Sequence, residues 1–289
     1  MSGTGVGGWG EQRPRERLGR ELRQRRVLAG LSGPDLARAI GITQSKLSRT
    51  ETAKFRPDLA VVRRWLEATG TGPAERERIL ALAEEAATQI AEYQTLFRRT
   101  LVTKQRSLLA QEAQAERIRN FQPFQIPGPM QTPRYARVAM LSIRMQQTGL
   151  EEAVAARMER GRRLRSAGAP HFHVIVTEPA LRYRFWGTGD EDQAETWRNM
   201  LEFCRVPTAV VQVIPDGTAY HQAPMCAFVI TEFRDPAAAK IVQVELPAAE
   251  MTFSGAADLE AYERTWNAMA DVALDPEASA KLLRGLLKG

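Results

Sequence analysis

The chain has 289 residues, 44% hydrophobic and 26% charged, with a net charge of +6 and two cysteines. That length suggests two domains, and the apolar fraction is enough for two cores. No run approaches the ~20 apolar residues a membrane span needs, and two cysteines exclude a disulfide scaffold and point to reduced thiols in a cytoplasmic protein.

The charge is unevenly spread. Residues 1–70 hold 14 Lys and Arg against 7 Asp and Glu, whereas the remainder holds 26 against 27. The positive excess therefore lies entirely in the N-terminal quarter, as attraction to phosphates requires. Arg supplies 34 of the 40 basic residues, a bias common in GC-rich genomes such as those of actinomycetes.

Residues 1–12 open Gly-rich, without the apolar core of a secretory signal, and read as a disordered tail. A basic helix follows, flanked and formed by Arg13, Arg15, Arg17, Arg20, Arg23, Arg25 and Arg26. Ser32 is an N-cap and Pro34 fits the first turn of a second helix. Leu36, Ala37 and Ile40 share one face of it. Gly41 can take the positive φ that ends a helix, and Ile42 plugs the corner. Thr43 caps a third helix, running through Thr52, whose inward residue is Leu47. Gln44, Ser45, Lys46, Ser48 and Arg49 point outward. Amides, hydroxyls and a guanidinium on the first turns of an exposed helix can hydrogen-bond base edges in a DNA major groove.

Residues 17 to 69 resemble the Cro/C1-type (xenobiotic-response-element) family through the small residue, the Gly turn, Thr43-Gln44-Ser45 and the terminal Glu51. The resemblance implies a five-helix bundle that binds double-stranded DNA as a homodimer. It implies base contacts from Gln44, Ser45 and Arg49, and phosphate contacts from Lys46, Ser48 and Lys54. Ser32 and Thr43, at the two helix N-termini, complete the expected DNA-binding set. Two positions depart from the family: Gly33, where Gln is common, and Ala53, where Gly is common and a left-handed turn is costlier for Ala.

Leu59, Val62, Trp65 and Leu66 predict a fourth helix, and Pro73 can start a fifth. From there to residue 120 the charged, amphipathic sequence predicts a helical connector, with Ile79, Leu82, Ala86, Ile90 and Tyr93 on one stripe. That stripe suits packing on its own domain or a dimer seam. Residues 121–289 predict an α+β domain with a small sheet, expected antiparallel. Its strands are His171–Thr177, Ala209–Ile214, Cys226–Phe233 and Ile241–Leu246, among helices at 178–185, 190–204, 259–272 and 278–287. Thr132-Pro133 starts a further helix after the Pro127-Gly128-Pro129 turn.

This half is similar to actinomycete regulators of the WhiJ and antitoxin-like type. The resemblance is carried by a Glu112-Ala-Gln-Ala-Glu116 helix, by Ile126 to Ala136, and by Val211-Gln-Val-Ile-Pro215. It implies a transcription regulator with a small protein partner, which would dock on an exposed patch at Pro127, Gly128, Gln131 and Tyr135. The alternative is a small-ligand sensor, with Trp186, Trp197, Tyr220 and Trp266 as candidate pocket linings. His171 and His173 share a strand face, and His221, Cys204 or Cys226 could join them on a metal. No C-x-x-C or H-E-x-x-H spacing supports this, so no metal or cofactor is expected. With no nucleophile elbow and no phosphate loop, no catalysis is expected either.

Overall fold

The computed structural model describes residues 12–86, 89–92, 101–142, 149–220, 226–246 and 249–288. The expected N-terminal tail, Tyr93 and His221 therefore lie outside the described residues, apart from Gln12. The chain divides into two compact units. The first comprises residues 1–91, 235–241 and 251–259, and the second comprises 92–234, 242–250 and 260–289.

The first unit is a helical bundle: α1 (Gln12–Leu28), α2 (Gly33–Ile40), α3 (Gln44–Glu51), α4 (Leu59–Ala68) and α5 (Pro73–Glu85). Leu22, Leu36, Ile40, Leu47, Val62 and Trp65 meet in one core, each large apolar side chain stabilising the bundle by about 1.5–3 kcal/mol. Trp65 is placed by more than shape, because its indole N–H donates to the Leu22 carbonyl at 3.1 Å. Ile79, Leu82 and Ala86 enter the same core. The stripe on α5 therefore packs within its own domain. Ala237, from the returning segment 235–241, is buried there too. Gly19 lets α1 lie against the end of α3, since a Cβ at that position would come within 2.7 Å of the Glu51 carbonyl oxygen.

The expected connector is not one helix. After α5 come a short strand, β1 (Gln89–Glu92), then α6 (Leu101–Glu112) and β2 (Ala115–Gln122). The expected Glu112–Glu116 helix stops at Glu112 because Ala115, Ile118 and Phe121 belong to a buried strand. A domain boundary at 121 would cut through β2. Five of these eight strand residues are buried, four of them consecutive, so the stretch lacks the alternation of a half-exposed strand.

The second unit continues with a 3₁₀ turn (Gly128–Met130), α7 (Pro133–Ser142), α8 (Leu150–Arg163), β3 (His171–Thr177), α9 (Glu178–Arg182), α10 (Asp190–Phe203), β4 (Ala209–Ile214), β5 (Phe228–Phe233) and β6 (Ile241–Glu245). The chain closes with β7 (Ala249–Phe253), α11 (Ala256–Val272) and α12 (Pro276–Leu286). Six strands run in the order β7-β6-β5-β2-β3-β4. The sheet is mixed, correcting the antiparallel expectation: β2 pairs β3 and β3 pairs β4 in parallel, while β2 pairs β5 antiparallel. Parallel neighbours need a crossover of a dozen or more residues, which α7 with α8, and then α9 with α10, provide. Ile118 lies opposite Phe172 on one side and Thr231 on the other, so these three share a sheet face.

Candidate nucleic-acid interface

The α2–turn–α3 corner is built by local hydrogen bonds. The Ser32 hydroxyl accepts from the Asp35 backbone N–H at 3.2 Å. Gly41 takes φ 72, and the Ile42 N–H returns to the Ala37 carbonyl at 2.9 Å, closing α2. Thr43 then accepts from the Lys46 N–H at 3.3 Å and opens α3. Leu47 and Thr50 face the bundle, so the opposite side of the helix is fixed by packing. Gln44, Ser45, Ser48 and Arg49 all lie exposed on it. The Arg49 guanidinium rests over the Phe55 ring, 5.9 Å from its centre. Lys54, exposed just past the helix, has its backbone N–H on the Arg49 carbonyl at 2.7 Å.

Of two further features of this corner, the sequence pointed to the first and not to the second. Ala53 adopts φ 58, alone among the described non-glycine residues in that region. The left-handed turn expected after α3 is thus present and built from Ala, at a cost of about 1–2 kcal/mol. Lys46 is half-buried and forms an ion pair with Asp235. Asp235 is held in turn, its carboxylate accepting from the Ala237 N–H at 3.1 Å. No sequence signal pairs residues 189 positions apart, and only the return of 235–241 to this unit brings them together.

The basic run on α1 divides by role. Arg26 grips Glu51 at the end of α3 with Nε at 2.6 Å and Nη2 at 3.0 Å, and reaches the Leu31 carbonyl at 3.0 Å. The fork-to-fork hydrogen bond holds its pKa above the ordinary guanidinium value. Arg25 pairs with Glu75 of α5. These two arginines hold the bundle, whereas Arg20 and Arg23 are exposed.

In the second unit several expected positions move. The patch expected at Pro127–Tyr135 is interior: Pro127, Gln131 and Tyr135 are buried and Gly128 is half-buried. The Tyr135 hydroxyl accepts from the Ile126 N–H at 3.2 Å, and burial pushes its pKa up to about 12. Gln131 donates to the Ile126 carbonyl at 2.8 Å and accepts from Arg157 at 2.7 Å. The Pro-Gly-Pro turn folds back into the domain, so it offers no docking surface. Trp186 is 98% exposed, while Trp266 packs edge-on against His173 at 4.9 Å. His173 is hydrogen-bonded to Gln212 at 2.7 Å, and burial lowers its pKa. Among the described residues no cluster of His, Cys, Asp and Glu has metal-site geometry, and no helix is long and apolar enough to cross a membrane.

Residues 105–285 match the family described as Domain of unknown function (DUF5753). The chain belongs to the DUF5753 family. Residues 17–79 match a Helix-turn-helix domain, which makes the first unit the DNA-binding part of a regulator. The profile limits agree with the structure at both places where the connector expectation failed: the helix-turn-helix match runs into α5, and the DUF5753 domain takes in α6 and β2. No curated protein and no solved structure matches the chain.

Proposed function

We propose that this DUF5753 protein is a cytoplasmic, sequence-specific transcription regulator of the Cro type, reading the major groove with the exposed face of α3 as a homodimer. One observation carries the reading: Gln44, Ser45, Ser48 and Arg49 stand exposed on a helix whose opposite side is locked by Leu47 and Thr50. Gln44 and Arg49 have the geometry for bidentate contacts to adenine and guanine, while Ser45 can reach either. A single helix contacts few bases, so a two-fold operator with half-sites ~34 Å apart supplies the specificity. No catalysis belongs to this reading. The expected antitoxin-like role and small protein partner keep only the support of the resemblance, since the residues expected to present the partner are interior.

The test is selection of bound sequences from random DNA, followed by titration of the selected duplex and a scrambled one at two salt concentrations. Arg49→Ala is expected to lose ~1–3 kcal/mol on the selected duplex and to relax preference at one base pair. Scrambled DNA should be affected far less. Equal losses on both duplexes would make Arg49 a phosphate contact and remove it from the reading set. Failure of the wild-type chain to enrich any sequence would overturn the proposal itself.

A further inference from the structure

The DUF5753 domain contains a cavity of about 130 Å³. Its floor is the sheet face carrying Ile118, Asn120, Phe172 and Thr231, and its walls are α6, α8 and the Pro127–Met130 turn. The volume approaches that of a ~150 Å³ cavity able to take up benzene. Unlike such a cavity, this one is lined mostly by polar side chains.

Most of that polarity is already satisfied. Arg160 is clamped by Glu112, with Nε at 3.0 Å and Nη2 at 2.6 Å, and its Nη1 donates to Gln105 at 2.8 Å. Gln111 donates to Gln243 at 2.6 Å, and Gln243 donates to Glu250 at 3.2 Å. Gln122 donates to Asn120 at 3.1 Å. Lys104 pairs with Glu245.

Arg157 is the exception. Its Nη1 meets only the neutral amide of Gln131 at 2.7 Å, and its Nε is sealed from solvent with no hydrogen-bond partner. Among the described residues it makes no ion pair. Burial and the like charge of Arg160 push its pKa down to about 10 against the opposing pull of Glu245, so it remains a cation at neutral pH. A half-buried guanidinium with no carboxylate in hydrogen-bond contact leaves room for a further anionic partner. Residue 128 is glycine, so no side chain covers this flank of the two guanidiniums, where a Cβ would lie 3.6 Å from Arg157 Nε and 3.7 Å from Arg160 Nη1.

We propose that this cavity binds a small organic carboxylate, whose anionic end meets Arg157 beside Gly128 and whose short apolar body lies against Ile118, Ile126 and Phe172. A carboxylate matches a guanidinium edge in geometry as well as charge, and Ile118, Ile126 and Phe172 offer its body an apolar contact. The site is independent of the DNA-reading proposal, which places nothing in this domain.

The test uses the full-length chain at constant ionic strength, titrated with acetate, butyrate, pentanoate, the neutral isostere butyramide, and inorganic phosphate. Binding is followed by thermal shift and by ligand-observed NMR. Butyrate is expected to saturate one site per chain, at least tenfold more tightly than butyramide and more tightly than acetate. Arg157→Gln should abolish the preference for butyrate over butyramide. Should Arg157→Gln fail to fold, Gly128→Ala decides, because its methyl group makes only ordinary van der Waals contacts, at 3.6 Å or more, while filling the anion's place. It should weaken butyrate at least tenfold with little change in melting temperature. Saturation by none of the carboxylates, equal affinity for butyrate and butyramide, phosphate binding more tightly than butyrate, or undiminished binding in Gly128→Ala would each overturn the proposal.

Discussion

The reading helix and the core of the DUF5753 domain use arginine in opposite ways. On the helix-turn-helix unit, Arg49 stands exposed on α3 beside Gln44 and Ser45. In the DUF5753 domain, Arg119 and Arg160 are buried and held by carboxylates: Arg119 by Glu232 at 2.9 Å and by Glu263, Arg160 by Glu112. An exposed guanidinium needs no protein counter-charge, because water solvates it until a phosphate or a base replaces the water. An interior one must find its opposite charge in the fold, and once paired it is spent on structure. Exposure therefore separates ligand-reading arginines from fold-holding ones, and the cavity-lining Arg157 belongs to neither group.

The sharpest way to break this contrast is to remove a fold-holding carboxylate. Glu112→Ala leaves the Arg160 guanidinium inside the domain with only the Gln105 amide oxygen at 2.8 Å. Breaking a buried pair on one side costs about 3–5 kcal/mol, which lowers the melting temperature of a domain this size by on the order of 10 °C. Thermal unfolding followed by circular dichroism measures this. Base preference on the selected DNA, measured below the transition, should be unchanged. A loss under 1 kcal/mol would show that water reaches Arg160 and that the pair is effectively a surface one.

A smaller effect sharpens the reader's side. Ala53 sits at φ 58 directly after α3. Replacing it with Gly removes the left-handed penalty of ~1–2 kcal/mol and returns part of that as extra freedom in the unfolded chain, about 0.5–1 kcal/mol. Ala53→Gly should thus stabilise the bundle by about 0.5–1 kcal/mol, read as a rise in urea midpoint at unchanged slope. A destabilised variant would mean that the Ala53 methyl makes packing contacts outweighing its strain.

What the sequence made legible follows the same division. The reader could be placed nearly residue by residue, because a helix-turn-helix is specified by short-range rules: a cap, a glycine turn, apolar spacing and a capped second helix within some twenty residues. Ser32, Gly41, Thr43 and Leu47 each do locally what their types require. The DUF5753 domain yielded four of its strands and most of its helices, since those also depend on local pattern, but not α8. It did not yield the parallel pairing, because register between β2 and β3 depends on residues about fifty positions apart. It did not yield β2 either, where a mostly buried strand beside a helical run lacks alternation. The cavity was least legible of all. Gln105, Glu112, Arg157 and Arg160 come from two helices, and Gly128 from a turn read as an exposed patch. Aromatics were the natural candidates for a pocket wall, yet Trp186 is bare to solvent and Trp266 packs on His173.

The smallest expected effect concerns a residue that lies between the two uses of charge. Lys46 is on the recognition helix, where a phosphate contact is expected, yet it is paired with Asp235. Both side chains remain about a quarter to a third exposed, at 25% and 31%, so the pair is worth at most about 1 kcal/mol. That amount is still enough to matter for DNA, because Asp235 both occupies Lys46 and sets a negative charge beside the reading helix. Asp235→Asn keeps an acceptor for the Ala237 N–H and removes only the charge. It should tighten binding to random DNA about two- to fivefold and steepen the salt dependence by about one counterion, as Lys46 becomes available to a phosphate. The gain should vanish in the Lys46→Ala background, which a double-mutant cycle on one DNA duplex measures directly. If Asp235→Asn tightens binding equally with and without Lys46, the aspartate acts through the general field of the helix-turn-helix unit. If it changes nothing, the pair gives way freely when DNA arrives, and Lys46 is as available as the exposed Arg49.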